Sequence, residues 1–167
     1  MPLYPLVLEM KKLLRNVLGW LDKAEADAAA RGYDANVLLQ SRLAPDMFPL
    51  VRQIQSACDN AKFAAAFASG KEPPAHQDTE QTFSEVRARI LLVIAYLDTF
   101  TGQDFNGTDS RTVRRPRWEG KEMTATDYFV EHAMPNFFFH LTTAYAILRH
   151  NGVGVGKRDY LGELSLR

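Results

Sequence analysis

Apolar residues recur along this chain with the period of a helix, in four long stretches. In the first, Leu6, Val7, Met10, Leu13, Leu14, Val17, Leu18 and Leu21 are spaced by steps of three and one. Such spacing draws one apolar stripe down a helix. Pro5 suits a first helical turn, and Arg31-Gly32 marks a stop. A loop follows, with Leu38, Leu39 and Leu43 available to pack beneath it. The second stripe is Leu50, Val51, Ile54, Cys58, Ala61, Ala65 and Ala68. Its helix is expected to open near Asp46, with Pro49 inside the first turn, and to end at Gly70 before Pro73-Pro74. The alanines of 61–68 allow a neighbouring helix to approach closely. The third stripe is Phe83, Val86, Ile90, Val93, Ile94 and Leu97. It is expected to start at Asp78 or Thr79, with Asp78 and Gln81 in capping-box spacing, and to end at Thr101-Gly102.

Residues 102–125 carry no helical stripe. Gly107, Pro116 and Gly120 punctuate them, and Arg111–Arg117 and Lys121–Thr124 flank Trp118-Glu119-Gly120. Two short strands or an irregular hairpin are expected there. Thr126 is expected to cap a short helix, Asp127 to His132, which Pro135 breaks or restarts. The last helix carries Phe137, Leu141, Ala144, Tyr145 and Leu148 and stops at Asn151-Gly152. Gly152, Gly154 and Gly156 with Lys157 lack the spacing of a phosphate loop and follow a helix, so they read as a connector. The pattern predicts an all-α protein: one domain over 1–167, a four-helix bundle with a short β-hairpin insert before the last helix.

Composition narrows the function classes. Of 167 residues, 46% are hydrophobic and 24% charged, which suits a globular chain. Twenty basic residues balance twenty acidic ones. That balance argues against a dedicated nucleic-acid or anionic-membrane binder and puts little charge repulsion in the way of self-association. The single cysteine, Cys58, excludes an internal disulfide and any multi-cysteine zinc site. It lies on an apolar stripe and reads as a small core residue. No apolar run approaches the roughly 18–20 residues that cross a bilayer, and no leader pattern is visible, so a cytoplasmic protein is expected.

Candidate chemistry concentrates near the end of the chain. Asn136 and His140 are spaced i and i+4 and so share one helical face. His140 sits beside the core stripe. Its other neighbour at that spacing, Ala144, cannot ligate, and Asn136 is a poor ligand for zinc or nickel. His140 therefore reads as a hydrogen-bonded structural histidine. A site built from His132, His140 and a carboxylate such as Glu131 stays open, although Pro135 interrupts the path between the histidines. His150 suits the last turn of a helix, and His76 lies in a Pro-rich loop. The run Arg111, Arg114, Arg115 and Arg117, ending on Trp118, has the composition of a nucleic-acid contact. Nearby Asp104, Asp109, Glu119 and Glu122 favour a solvated loop, and an anionic small molecule is the better functional alternative. Phe137-Phe138-Phe139 points rings around most of a helix, so that helix is central or packs against a second copy; a homodimer is expected.

The segment HLTTAYAILRHNGVGVGKRDYLG, His140 to Gly162, preceded by PNFFFH, resembles the last helix and tail of the DinB/YfiT-like superfamily. Within it, the chain is similar to a branch known only as a domain of unknown function. The resemblance implies a four-helix bundle, in many members dimeric, and a metal centre of three histidines. One of those lies early in the second helix, and two lie four residues apart on the last. Carried over, the second of the helical pair is His140, the first is Asn136, and the second-helix position is Gln53. Two of the three ligands are thus amides. The resemblance then implies a ligand-binding bundle with a degenerate metal site and no cofactor. Its candidate ligand-binding residues are Gln53, Asn136 and His140, with Tyr145 and Arg149 further along the helix. The alternative is a metal-dependent thiol transferase or hydrolase. In it His140, joined by His132, Glu131 or Asp59, would hold zinc or nickel.

Overall fold

A computed structural model describes residues 2–166. The first stripe forms α1 (Tyr4–Arg31), which buries Val7, Met10, Leu13, Leu14, Val17 and Leu21 together with Trp20. Gly32, at φ 73°, closes it by donating its N–H to the Ala28 and Ala29 carbonyls. Asp34 caps a 3-10 turn, Ala35–Gln40, that tucks Leu38 and Leu39 into the core. Leu43, expected beneath the loop, is exposed.

The second helix, α2 (Leu50–Ser69), begins later than expected: Pro49 is its N-cap, and Asp46 lies in the preceding loop. Pro45 and Pro49 supply no N–H and disfavour the helical region at the residues before them, so this stretch makes only a tight turn, the Met47 N–H donating to the Ala44 carbonyl at 3.0 Å, and the helix starts at Leu50. Gly70 ends the helix as expected. The third helix, α3 (Phe83–Leu97), also starts late. Its capping box is Thr82 with Glu85, not Asp78 with Gln81. The Glu85 N–H donates to Thr82 Oγ1 at 3.2 Å and the Thr82 N–H to Glu85 Oε2 at 2.9 Å. Asp78 is drawn away by Arg52 and Arg89. The helix ends at Leu97, and Thr101 instead heads a 3-10 turn, Gly102–Phe105.

The hairpin forms from β1 (Thr112–Arg114) and β2 (Glu122–Thr124), antiparallel, with Val113 opposite Met123 and Arg114 opposite Glu122. Thr124, not Thr126, caps the single turn α4 (Ala125–Asp127), its hydroxyl accepting the Asp127 N–H at 3.0 Å. Thr126 Oγ1 turns instead to Thr108 and Asp109. The chain then runs without a break through a π-helical segment, Tyr128–Ala133, into α5 (Met134–His150). Pro135 does not break the helix. A proline lacks the donor that would reach the carbonyl four residues back and crowds that carbonyl, and the wider π turn just before it relieves both. After the stop at Asn151-Gly152 the expected connector contains one more short helix, α6 (Lys157–Leu161). It docks on α1: the Trp20 indole N–H donates to the Asp159 carbonyl at 3.0 Å and Asn16 to the Tyr160 carbonyl at 2.9 Å.

The long helices α1, α2, α3 and α5 form the bundle, with α2 against α5 as its most extensive pairing. Ala57, Ala61, Ala64, Ala65 and Ala68 are buried along α2 and let its neighbours approach. Between α2 and α3 lies a buried ionic network. The Arg89 guanidinium donates to Asp59 Oδ1 at 2.8 Å, Asp78 Oδ1 at 3.2 Å, Glu80 Oε1 at 3.2 Å and the Gln77 carbonyl at 3.1 Å. Lys62, 1% exposed, donates to Asp59 Oδ1 at 2.8 Å and lies 3.3 Å from His76 Nδ1. No helix among the described residues is long and apolar enough to cross a membrane.

Candidate functional site

The continuous helical path through Pro135 puts His132, Asn136 and His140 at i, i+4 and i+8 on one face. All three line a cleft of about 240 Å3. Its floor is α2, through Arg52, Ser56 and Asn60, and the hairpin closes it with Arg115 and Arg117. Larger hollows lie at the hairpin tip (510 Å3) and over His76–Leu92 (400 Å3), but the first is lined mostly by exposed side chains and neither brings the histidines together.

Gln53 and His140 meet. Gln53 is buried, and its Nε2 donates to the Phe48 carbonyl at 3.1 Å, which turns Oε1 toward His140 Nδ1 at 2.7 Å. The amide therefore fixes the tautomer: Nδ1 carries the proton and Nε2 keeps the lone pair. Phe48 stacks on the ring at 6.4 Å, and Phe139 meets it edge-on at 5.3 Å. Burial, and then the Arg52 charge, hold His140 below the ordinary histidine pKa.

Asn136 does not join that pair. Its Nδ2 donates to the His132 carbonyl at 2.6 Å, one turn back. His132 stacks on Tyr128 at 5.3 Å, and its Nε2 contacts the Arg117 guanidinium. An arginine can only donate, so Nε2 accepts and Nδ1 carries the proton, buried and without a partner. Burial, then Arg117 and Arg115, hold this ring too below the ordinary value. Burial pushes the Tyr128 phenol up to about 12 against the opposing pull of Arg115 and Arg117.

The four arginines of the sequence run divide. Arg111 is spent on backbone, reaching the Ala68 carbonyl beside the end of α2 and the Asn106 carbonyl. Arg114 pairs with Glu122 across the hairpin at 2.6 Å. Arg115 and Arg117 turn into the cleft and make no ion pair among the described residues. Arg115 lies over the rings of Phe63 at 5.1 Å and Phe67 at 4.8 Å. The run is therefore not one continuous basic stripe.

Other candidates lie elsewhere. Tyr145 packs between Trp20 and Tyr160, each ring 5.8 Å away, and Arg149 donates to the Val153 carbonyl at 3.4 Å; neither lines the cleft. Glu131 borders a separate surface hollow beside the hairpin. Asp59 reaches the edge of the cleft, but its Oδ1 accepts from both Lys62 and Arg89. Residues that sequence reasoning did not connect with the site are Arg52, Ser56, Asn60, Phe63 and Tyr128. Only the fourfold spacing of 52, 56 and 60 on α2 would have signalled a shared face.

Residues 3–161 match the family described as "Domain of unknown function (DUF1993)". The chain belongs to that family. A solved crystal structure of a DinB family member protein from Shewanella denitrificans is 48% identical to this DUF1993 chain, with a TM-score of 0.96, covering 99% of this chain and 94% of that one. The expected membership of the DinB-like superfamily, in a branch of unknown function, and the expected helical bundle with a hairpin both hold. No curated protein matches the chain.

The superfamily resemblance implies a metal, and the donor set does not fit one. Among the described residues no group of three or more His, Cys, Asp or Glu side chains could hold an ion. Gln53 spends its oxygen on His140, Asn136 commits its Nδ2 to backbone and offers only an amide oxygen, and His132 faces a guanidinium. What those positions leave over, His140 Nε2 and the weakly ligating amide oxygen of Asn136, is too little for a divalent transition metal, which takes about three protein ligands in a catalytic site.

Proposed function

We propose that this chain is a small-molecule-binding helical bundle, using the cleft between α2, α5 and the hairpin and requiring no metal. The observation that carries this reading is the Gln53–His140 hydrogen bond at 2.7 Å, which uses for tautomer control two of the three positions that the superfamily gives to metal ligands. A mostly polar cleft with one fixed imidazole and two guanidiniums that have no carboxylate partner among the described residues supplies placed polar groups that can orient a small polar ligand. The reading is tested by a fragment screen of mixed charge followed on Trp118 fluorescence and amide shifts, together with metal analysis of untagged protein. Binding localised to α2 and α5 is expected, with substoichiometric zinc and nickel. Stoichiometric metal, or no cleft-directed binder of any charge, overturns it.

The same reading includes a homodimer. Phe138 and Phe139 are 36% and 57% exposed on α5, and Phe48 is 50% exposed close by. Aromatic surface grouped in this way favours association. Light scattering is expected to give twice the chain mass, and Phe139→Glu to give the monomer. The lone, buried thiol of Cys58 fits work in the reducing cytoplasm.

A further inference from the structure

We propose that the group recognised in the cleft is an oxyanion, a carboxylate or a phosphate carried by a small molecule, gripped between Arg115 and Arg117. This rests on the cleft being a ligand site and adds the class of ligand.

The argument is one of charge accounting. The chain as a whole is neutral, with twenty cations and twenty anions. Around the cleft the balance fails. Arg52 is matched by Asp78, and Asp59 by Lys62 and Arg89. Arg115 and Arg117 remain, with no carboxylate partner among the described residues. Of the same short stretch, Arg114 pairs with Glu122 and Arg111 is committed to the Ala68 and Asn106 carbonyls, so the two arginines left with no carboxylate or carbonyl partner among the described residues are the two that line the cleft.

The two guanidiniums are also held ready. Phe63 and Phe67 cover the face of Arg115, at 5.1 Å and 4.8 Å. A guanidinium held this way presents its remaining N–H groups in a fixed plane, a shape suited to two oxygens of one carboxylate or phosphate. Arg117 is restrained only by the neutral ring of His132, a weak acceptor that an oxyanion would outcompete. The positive field is already felt by its neighbour, since both arginines help to keep His132 uncharged. A cation would meet the same field as repulsion. A polymeric anion would want the dispersed basic surface that Arg111 and Arg114 do not supply.

The experiment uses full-length protein labelled with 15N, at low ionic strength, titrated separately with benzoate, benzamide and inorganic phosphate while the arginine Nε–H signals are followed. Benzoate and benzamide share a shape and differ in charge. Benzoate or phosphate is expected to shift the Arg115 and Arg117 signals, with whichever binds more tightly naming the source, and benzamide to bind at least about tenfold more weakly. Arg117→Gln should weaken the anion about tenfold, the loss typical of one charge-assisted hydrogen bond. Arg114→Gln removes the same charge outside the cleft and should leave affinity unchanged. If benzamide binds as well as benzoate, the ligand site stands and the oxyanion falls. If neither anion binds, or if Arg117→Gln binds like the wild type, the proposal is refuted. Equal losses in Arg114→Gln and Arg117→Gln would reduce the effect to general charge and overturn it as well.

Discussion

Replacing Arg89 by Met removes a charge from the middle of the α2–α3 network while keeping the aliphatic stem. Arg89 is 3% exposed and donates to three carboxylates and one backbone carbonyl. Removing one partner from a buried ion pair costs about 3–5 kcal/mol, because the remaining charges stay behind without compensation. Here the remaining side chains are partly wet: Asp59 is 25% exposed, Asp78 28% and Glu80 10%. Water and the retained partners Lys62 and Arg52 offset part of the loss, so about 3 kcal/mol is expected. For a chain of this length each kcal/mol lowers the melting temperature by about 2–4 °C, which gives a fall of about 6–12 °C. Urea unfolding of Arg89→Met beside the wild type measures the difference directly, with an unchanged slope showing that the folded state is otherwise intact. Adding Glu80→Gln to Arg89→Met should recover part of the loss, because it removes the least solvated orphan charge. A loss below about 1 kcal/mol, or a double variant weaker than the sum of its parts, would refute the view that Arg89 is the pin of this network.

Three further outcomes follow from the same packing. The Cys58 thiol is fully buried and its pKa is pushed up to about 12, so Ellman's reagent should leave it untouched in native protein and titrate one thiol in urea; rapid native labelling would contradict its burial. Gly162 has φ +66°, and a Cβ there would lie 2.6 Å from Asn16 Nδ2, so Gly162→Ala should cost about 1–3 kcal/mol and loosen α6 from α1, seen as faster amide exchange over 157–161. His76, His132 and His140 are all held below the ordinary value of 6.5, by burial first and then by nearby cations. The unfolded chain takes up protons on these rings before the folded chain does. Stability should therefore be full above pH 6.5 and fall as the pH drops below it; a urea midpoint at pH 5.5 equal to or above that at pH 7.5 would contradict this.

The bundle was legible because its signal is local and repeated: each stripe needs only a period, and Gly32, Gly70 and Asn151-Gly152 mark stops that later packing does not move. Helix starts were less legible. Asp78 and Thr82 both satisfy the local pattern of a cap, and the choice is made by Arg89, eleven residues beyond Asp78 in sequence and on the next helix. Pro135 misled for a related reason. Proline strongly predicts a break, and only the widened turn at Tyr128–Ala133 shows how the chain carries on. The meeting of Gln53 with His140 was readable from the resemblance, although Asn136 turned to its own backbone. Arg52 and Tyr128 entered the site unseen, since what gathers them is the folding of a hairpin over α2 and α5. That same fold separates Tyr145 from the cleft: it sits on the far side of α5, against Trp20.

The π segment has a consequence for how this chain tolerates change. An α-helix turns about 100° per residue, so one residue more or fewer within Tyr128–Ala133 would rotate everything before it against everything after it by about that angle. Ahead of it stand the hairpin and the two arginines of the cleft, Arg115 and Arg117; behind it stand Asn136 and His140. The turn is therefore an indexing notch between two halves of the cleft. A single deletion there could leave a sound helix and an intact core on α5 while carrying Arg115 and Arg117 out of register, so that length, more than residue type, is what this stretch must conserve.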